Sequence, residues 1–97
     1  MTQSGILQSG RPGARAVVFL HGIGGAARGW LPQLDSFAAA GLHAVALDLP
    51  GYGARPPVRG MTFEDLAADL EHAIDRHGLK RPILVGRSMG GMIAQAA

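Results

Sequence analysis

Residues Pro82-Ile83-Leu84-Val85-Gly86-Arg87-Ser88-Met89-Gly90-Gly91 constrain this chain more than any other stretch. A short apolar run leads into Gly-x-Ser-x-Gly, and Met92-Ile93-Ala94-Gln95-Ala96-Ala97 continues with no helix breaker. The pattern predicts a strand, a sharp turn and a helix with Ser88 at the apex, the setting that presents a serine hydroxyl as a nucleophile. So tight a turn pushes the serine toward strained backbone with positive φ. The positions two before and two after it must be small, because Cβ atoms there would collide, and they are Gly86 and Gly90. All four histidines (His21, His43, His72 and His77) precede Ser88. A hydroxyl without a base is a weak nucleophile.

The same alternation recurs upstream. Ala16–Leu20 is a continuous apolar run, as expected of a parallel strand buried on both faces. A glycine-rich loop, His21–Gly29, follows it. A short helix is expected from about Trp30 to Ala40, with Pro32 in its first turn and Gly41 just past its end. His43–Leu49 reads as a second buried strand, and Pro50–Gly60 as a loop dense in Gly and Pro. Thr62–His77 is a helix: Thr62 and Asp65 fit a capping box, and Met61 can staple against Leu66. Phe63, Leu66, Ala67, Leu70, Ala73 and Ile74 share one face, and Gly78 supplies the stop. One more short strand is expected around Ile6-Leu7. Strand and helix in alternation imply an α/β fold with a mostly parallel sheet.

Composition excludes several classes. Of 97 residues, 47% are hydrophobic and 16% charged, which suits a small globular domain and not a disordered chain. The net charge of +2 is modest and the basic residues are scattered, so neither a nucleic-acid nor a membrane partner is expected. With no cysteine there is no disulfide framework and no thiolate metal site. No apolar run approaches membrane-spanning length or forms a leader, so the expected location is cytoplasmic.

Three glycine-bearing loops follow the three principal strands: His21-Gly22-Ile23-Gly24-Gly25, Asp48-Leu49-Pro50-Gly51-Tyr52-Gly53 and Gly86-Arg87-Ser88-Met89-Gly90. They belong at the carboxyl ends of the strands, where open α/β sheets bind ligands. With these loops in this order, the chain resembles the α/β-hydrolase family from Ala16 to Ala97. In that family a His-Gly-x-Gly loop follows the third strand, Asp-x-Pro-Gly-x-Gly the fourth and Gly-x-Ser-x-Gly-Gly the fifth. One such pentapeptide is weak evidence; three in order, each after a strand, are specific.

The resemblance implies that Ser88 is the nucleophile of a serine hydrolase that forms an acyl-enzyme. It places the backbone N–H groups of Met89 and Ile23, with Gly24 as the alternative to Ile23, around the developing oxyanion. His21, Gly22, Gly24, Gly86 and Gly90 then shape the loops, and Asp48 organises its own. Since the family order is Ser, acid, His, the acid and the base are expected beyond Ala97. Residues 1–97 are accordingly read as the N-terminal portion of one domain, cut after the Ser88 turn and inactive alone. Ala16–Leu20 is expected between the other two principal strands. The substrate is a small acyl compound, an ester, a lactone or a related bond; Ser-Met-Gly-Gly leans toward lactonases and carbon–carbon bond hydrolases. No metal or cofactor is implied, and no oligomeric state is fixed.

Two rivals remain. A protein on this scaffold can lack catalysis altogether. Alternatively, Gly22-x-Gly24-x-x-Ala27 with Asp48 ending the next strand fits a dinucleotide fingerprint, and the protein would then bind NAD. That fingerprint needs a helix starting at once, which Gly29 and Pro32 delay, and it leaves the Ser88 turn unexplained. His21 as a base, Asp48 as a catalytic acid and Arg87 as a substrate contact are the sharper alternatives to structural roles. Trp30 and Phe37 are read as core, and Asp69 and Asp75 as part of a polar helical face.

Overall fold

In the computed structural model, residues 5–22, 25–53, 55, 62–87 and 89–96 are described. Four strands, β1 (Ile6–Ser9), β2 (Ala16–Leu20), β3 (His43–Leu47) and β4 (Ile83–Gly86), form one sheet in the order β1-β3-β2-β4. β2 lies parallel between β3 and β4, and β1 runs antiparallel on the outer side of β3. The helices are α1 (Leu31–Ala39), α2 (Phe63–Arg76) and α3 (Met89–Ala96), with a 3₁₀ turn, Ala27–Trp30, ahead of α1. This is the mostly parallel α/β architecture expected from the alternating pattern.

Each central strand feeds two cores, because successive side chains point to opposite faces. Val18 and Leu20 of β2, with Val45 and Leu47 of β3, join Leu70 of α2 and Ile93 of α3 on one face. Val17 and Phe19, with Ala44 and Ala46, meet Leu34 of α1 on the other. The two alanines leave room beside the Phe19 ring, which packs at a tilt of 34° on Trp30 (centroids 4.9 Å) and meets Phe37 edge-on (5.2 Å). β4 is less enclosed: Ile83 is 44% exposed, and among the described residues β4 pairs only with β2.

Local chemistry sets the element boundaries. Thr62 Oγ1 accepts from Asp65 N–H and Asp65 Oδ2 from Thr62 N–H, the reciprocal capping box expected. The Met61 staple lies outside the described residues. α1 and α2 both end in a glycine with positive φ, Gly41 and Gly78. In each case the next residue's N–H bonds five residues back, Leu42 to Phe37 and Leu79 to Ile74. The helix expected from Trp30 begins instead at Leu31, behind the 3₁₀ turn. Pro32 has no N–H, so it can only occupy the first turn of an α-helix, and the preceding residues adopt tighter bonding. β3 stops at Leu47, not Leu49. The next two amides leave the ladder: Asp48 N–H donates to the Gly5 carbonyl (2.8 Å) and Leu49 N–H to the His21 ring (3.0 Å).

Sheet order fixes where the loops meet. The step from β2 to β3 and the step from β3 to β4 cross the sheet in opposite directions. Crossovers of one hand therefore place α1 and α2 on opposite faces, as the two cores require. From the carboxyl ends of β2 and β4, which are neighbours, the chain departs to opposite faces. Such a switch point opens a crevice at the sheet end.

Candidate active site

The β4–α3 turn and the loop after β2 abut at that crevice. Arg87 N–H donates to the Leu20 carbonyl (3.1 Å), carrying the β2–β4 ladder one residue beyond β4. Gly90 N–H donates to the Arg87 carbonyl (2.9 Å), which brings the chain round into α3. Ser88 itself lies outside the described residues, as do its φ angle, Ile23 and Gly24. A Cβ on Gly86 would overlap the Gly90 carbonyl group and the Gly91 nitrogen. A Cβ on Gly90 would lie 2.5 Å from the Leu20 carbonyl oxygen and 2.6 Å from that of His21. The two glycines are thus needed for different reasons: Gly86 lets the helix start fold back over the strand, and Gly90 lets that start rest on the end of β2. Met89 opens α3, so its N–H is one of the donors for which the helix itself supplies no acceptor.

His21 is buried, and both its ring nitrogens are engaged. Leu49 N–H donates to Nε2, which must therefore carry no proton. Nδ1 then holds the hydrogen and donates to the Gly22 carbonyl (2.8 Å), which also accepts from Gly25 N–H (3.0 Å). Tyr52 packs its ring edgewise against the imidazole. Nothing of His21 is left to take a proton from a serine. Asp48 is buried too, and its Oδ1 accepts from Ala27 N–H at 2.7 Å. That carboxylate closes the loop after β2 instead of turning outward to a ribose, and Ala27 begins a 3₁₀ turn instead of an α-helix. Both features depart from the dinucleotide arrangement.

The other histidines sit elsewhere. His43 opens β3 at the opposite end of the sheet, its Nε2 bonded to Gln8 Oε1 (2.7 Å). His72 is exposed on α2 and His77 caps its C-terminus. A groove of about 630 Å³ lined by Pro12–Ala16, His43 and His77–Lys80 also lies at that far end, away from the Ser88 turn, and no serine or carboxylate lines it. Among the described residues no group of His, Asp and Glu could hold a metal ion, and no helix is long and apolar enough to cross a membrane.

Sequence reasoning missed one cluster. Arg55 makes a two-pronged ion pair with Asp69 of α2 (2.6 and 2.7 Å) and donates to the Asp48 carbonyl (3.3 Å). The bonds to Asp69 hold the guanidinium pKa above its ordinary value, against the lowering effect of burial. Asp69 is half-buried, not a freely solvated member of a polar face. A signal was present: Asp69 adjoins Leu66, Leu70 and Ala73, and a carboxylate at the border of an apolar stripe needs a partner.

Residues 17–97 match the alpha/beta hydrolase family. The chain is 42% identical over 83 residues to the dihydrolipoyllysine-residue acetyltransferase component of the acetoin cleaving system of Cupriavidus necator, covering 84% of this chain and 22% of that protein. It superposes on epoxide hydrolase A of Mycobacterium thermoresistibile with a TM-score of 0.86 at 27% identity, over 92% of this chain and 29% of that one. The thioesterase domain from the curacin biosynthetic pathway matches with a TM-score of 0.83 at 30% identity, over 94% and 35%. The chain thus spans roughly a fifth to a third of these relatives. A mostly parallel sheet with its switch point between β2 and β4, glycines that admit the close β4–α3 turn and a match over residues 17–97 together establish that the chain belongs to the alpha/beta hydrolase family.

Proposed function

We propose that this sequence supplies the nucleophile and the oxyanion site of a serine hydrolase acting on an ester, a lactone or a similar acyl bond of a small molecule. The observation that carries the reading is the seating of Gly90 on the carbonyls of Leu20 and His21. It sets the N-terminus of α3 against the His21-Gly22 loop at the switch point. Ser88 Oγ attacks the acyl carbonyl while a base takes its proton. The carbonyl oxygen becomes an oxyanion between the N–H groups of Met89 and Ile23, or Gly24 in place of Ile23, and the α3 dipole favours that charge. Collapse expels the leaving group with a proton from the base, and water then cleaves the acyl-enzyme. None of these steps calls for a metal or an organic cofactor. Two of the three relatives named above carry acyl-group chemistry in their names, acetyl transfer and thioester cleavage, which favours acyl substrates.

The base and its acid partner come from sequence other than these residues. His21 has both nitrogens committed, His43 and His77 lie at the far end of the sheet, and His72 faces solvent. A fluorophosphonate probe tests the assignment in the full-length polypeptide, meaning these residues with any sequence that follows them. One label is expected, on Ser88, and Ser88→Ala removes both labelling and turnover. Labelling that survives the substitution would refute the assignment.

A further inference from the structure

The nine lysines and arginines are scattered along the sequence, but the fold gathers five of them at one end of the sheet. Arg11 and Arg15 lie between β1 and β2; Arg76 ends α2, and Lys80 and Arg81 follow it ahead of β4. These two turns wall the groove of about 630 Å³ at the amino ends of the strands, and Arg15, Lys80, His43 and His77 line it. Residues 10–16, 40–43 and 76–81 contain no aspartate or glutamate, and the nearest along the chain is Asp75, exposed in the last turn of α2. Among the described residues none of the five cations has a carboxylate partner; the ion pair there is Arg55–Asp69. Like charges around a concavity focus a positive potential into it.

The backbone of the walls is already committed. His77, Gly78 and Leu79 N–H bond to α2 carbonyls, and His43 N–H bonds to the Arg15 carbonyl. Donors to a ligand must therefore be side chains. The His43 ring is held in place by Gln8. Gly13 and Gly78 leave open space, with nothing within 4 Å of a Cβ at either. The turn into β4 is strained: Arg81 has a φ of 50°, the one positive φ of a non-glycine among the described residues, directly ahead of Pro82. Strain of this kind concentrates at binding sites.

We propose that this groove binds a small organic phosphate, its phosphoryl group held between Arg15 and Lys80 and its carbon portion against Leu79. The volume lies within the roughly 300–1,000 Å³ of small-ligand pockets. No aromatic side chain lines the groove to stack on nucleic-acid bases. A phosphomonoester carries nearly two negative charges at neutral pH, which two full cations match, and the arginine fork suits its oxygens. Bound there, it ties the β1–β2 turn to the turn between α2 and β4. The five residues of β2, at about 3.3 Å each, put roughly 15 Å between this site and the Ser88 turn. The proposal does not rest on the hydrolase reading, and the ligand does not compete with an acyl substrate.

The test is calorimetric titration of the full-length polypeptide with phenyl phosphate, inorganic phosphate and citrate. Phenyl phosphate is expected to bind one to one, more tightly than the other two, and to raise the unfolding midpoint with its concentration. Arg15→Glu and Lys80→Glu should each weaken it about tenfold or more, since each removes charge-assisted bonds. Arg15→Gln and Lys80→Gln should weaken it by less and cover the case in which a charge reversal does not fold. Arg28→Glu makes the same reversal in the 3₁₀ turn beyond the other end of β2 and should leave affinity within about twofold. Amide shifts in NMR should centre on Gly13, Arg15, Gly78 and Lys80. Absence of saturable binding, an equal loss in Arg28→Glu, or shifts centred on Gly22 and Met89 would overturn the site. Citrate binding as tightly as phenyl phosphate would overturn the phosphate assignment. Tighter binding of a hexaglutamate peptide, or cosedimentation with phosphatidic acid vesicles, would overturn the small-molecule assignment in favour of a protein or a lipid surface.

Discussion

A methyl group added at Gly86 has nowhere to go. Its carbon would overlap the Gly90 carbonyl group and the Gly91 nitrogen, which are backbone and cannot swing aside. Gly86→Ala is therefore expected to destabilise the chain by about 1–3 kcal/mol, the usual cost of overpacking. In a domain this small that lowers the midpoint of thermal unfolding by several degrees per kcal/mol. Gly29→Ala is the matched control. Nothing lies within 4 Å of its Cβ, and its φ is not in the left-handed region. It should leave stability within about 0.5 kcal/mol or raise it slightly. Equal effects at the two positions, measured by thermal denaturation, would show that the β4–α3 turn is not sterically closed. The need for small residues at 86 and 90 was legible in the sequence, but the reason at Gly90 was not. Its neighbours belong to β2, some seventy residues earlier, and only the strand order brings them together. Arg55 was illegible for the same reason, since a lone arginine in a Gly/Pro-rich loop does not announce a helix carboxylate fourteen residues on.

Elements were read best where their ends carry local chemistry. The capping box at Thr62 and the glycine stop at Gly78 placed α2 to within a residue at each end. β3 was read too long because Asp48 and Leu49 look like strand but have their amides claimed by Gly5 and His21. β4 is the element with the most at stake. Its pattern is no poorer than that of β2, yet Ile83 is exposed and one side of the strand has no partner among the described residues. An unpaired apolar edge is a template for another chain. The 97-residue chain in isolation is expected to self-associate through β4. Replacing Ile83 with Lys, a residue that natural edges use against such pairing, should shift it toward monomer. Sedimentation velocity over a range of concentrations decides. A monomeric wild type with a cooperative unfolding transition would contradict this, as would an association unaffected by the lysine.

Collapse is not what this chain lacks. Its radius of gyration is 12.3 Å, close to the roughly 13 Å of a compact domain of 100 residues. Two packed faces and a central sheet hold the β2 loop and the β4–α3 turn against each other at the switch point. On the proposed hydrolase reading, no histidine among the described residues brings a free ring nitrogen to that point. An oxyanion site and a hydroxyl without a base retain only the part of catalysis that comes from charge stabilisation and binding, because the members of a nucleophile–base unit act together. The 97-residue chain alone should therefore hydrolyse p-nitrophenyl acetate several orders of magnitude more slowly than a complete serine hydrolase. Whatever slow release it shows should be the same in Ser88→Ala. The converse is just as specific. Saturable turnover by the 97 residues that Ser88→Ala abolishes would mean that one of His21, His43, His72 or His77 reaches the serine. The first candidate would be His21, and for it to act, the bonds from Leu49 N–H and to the Gly22 carbonyl would both have to open.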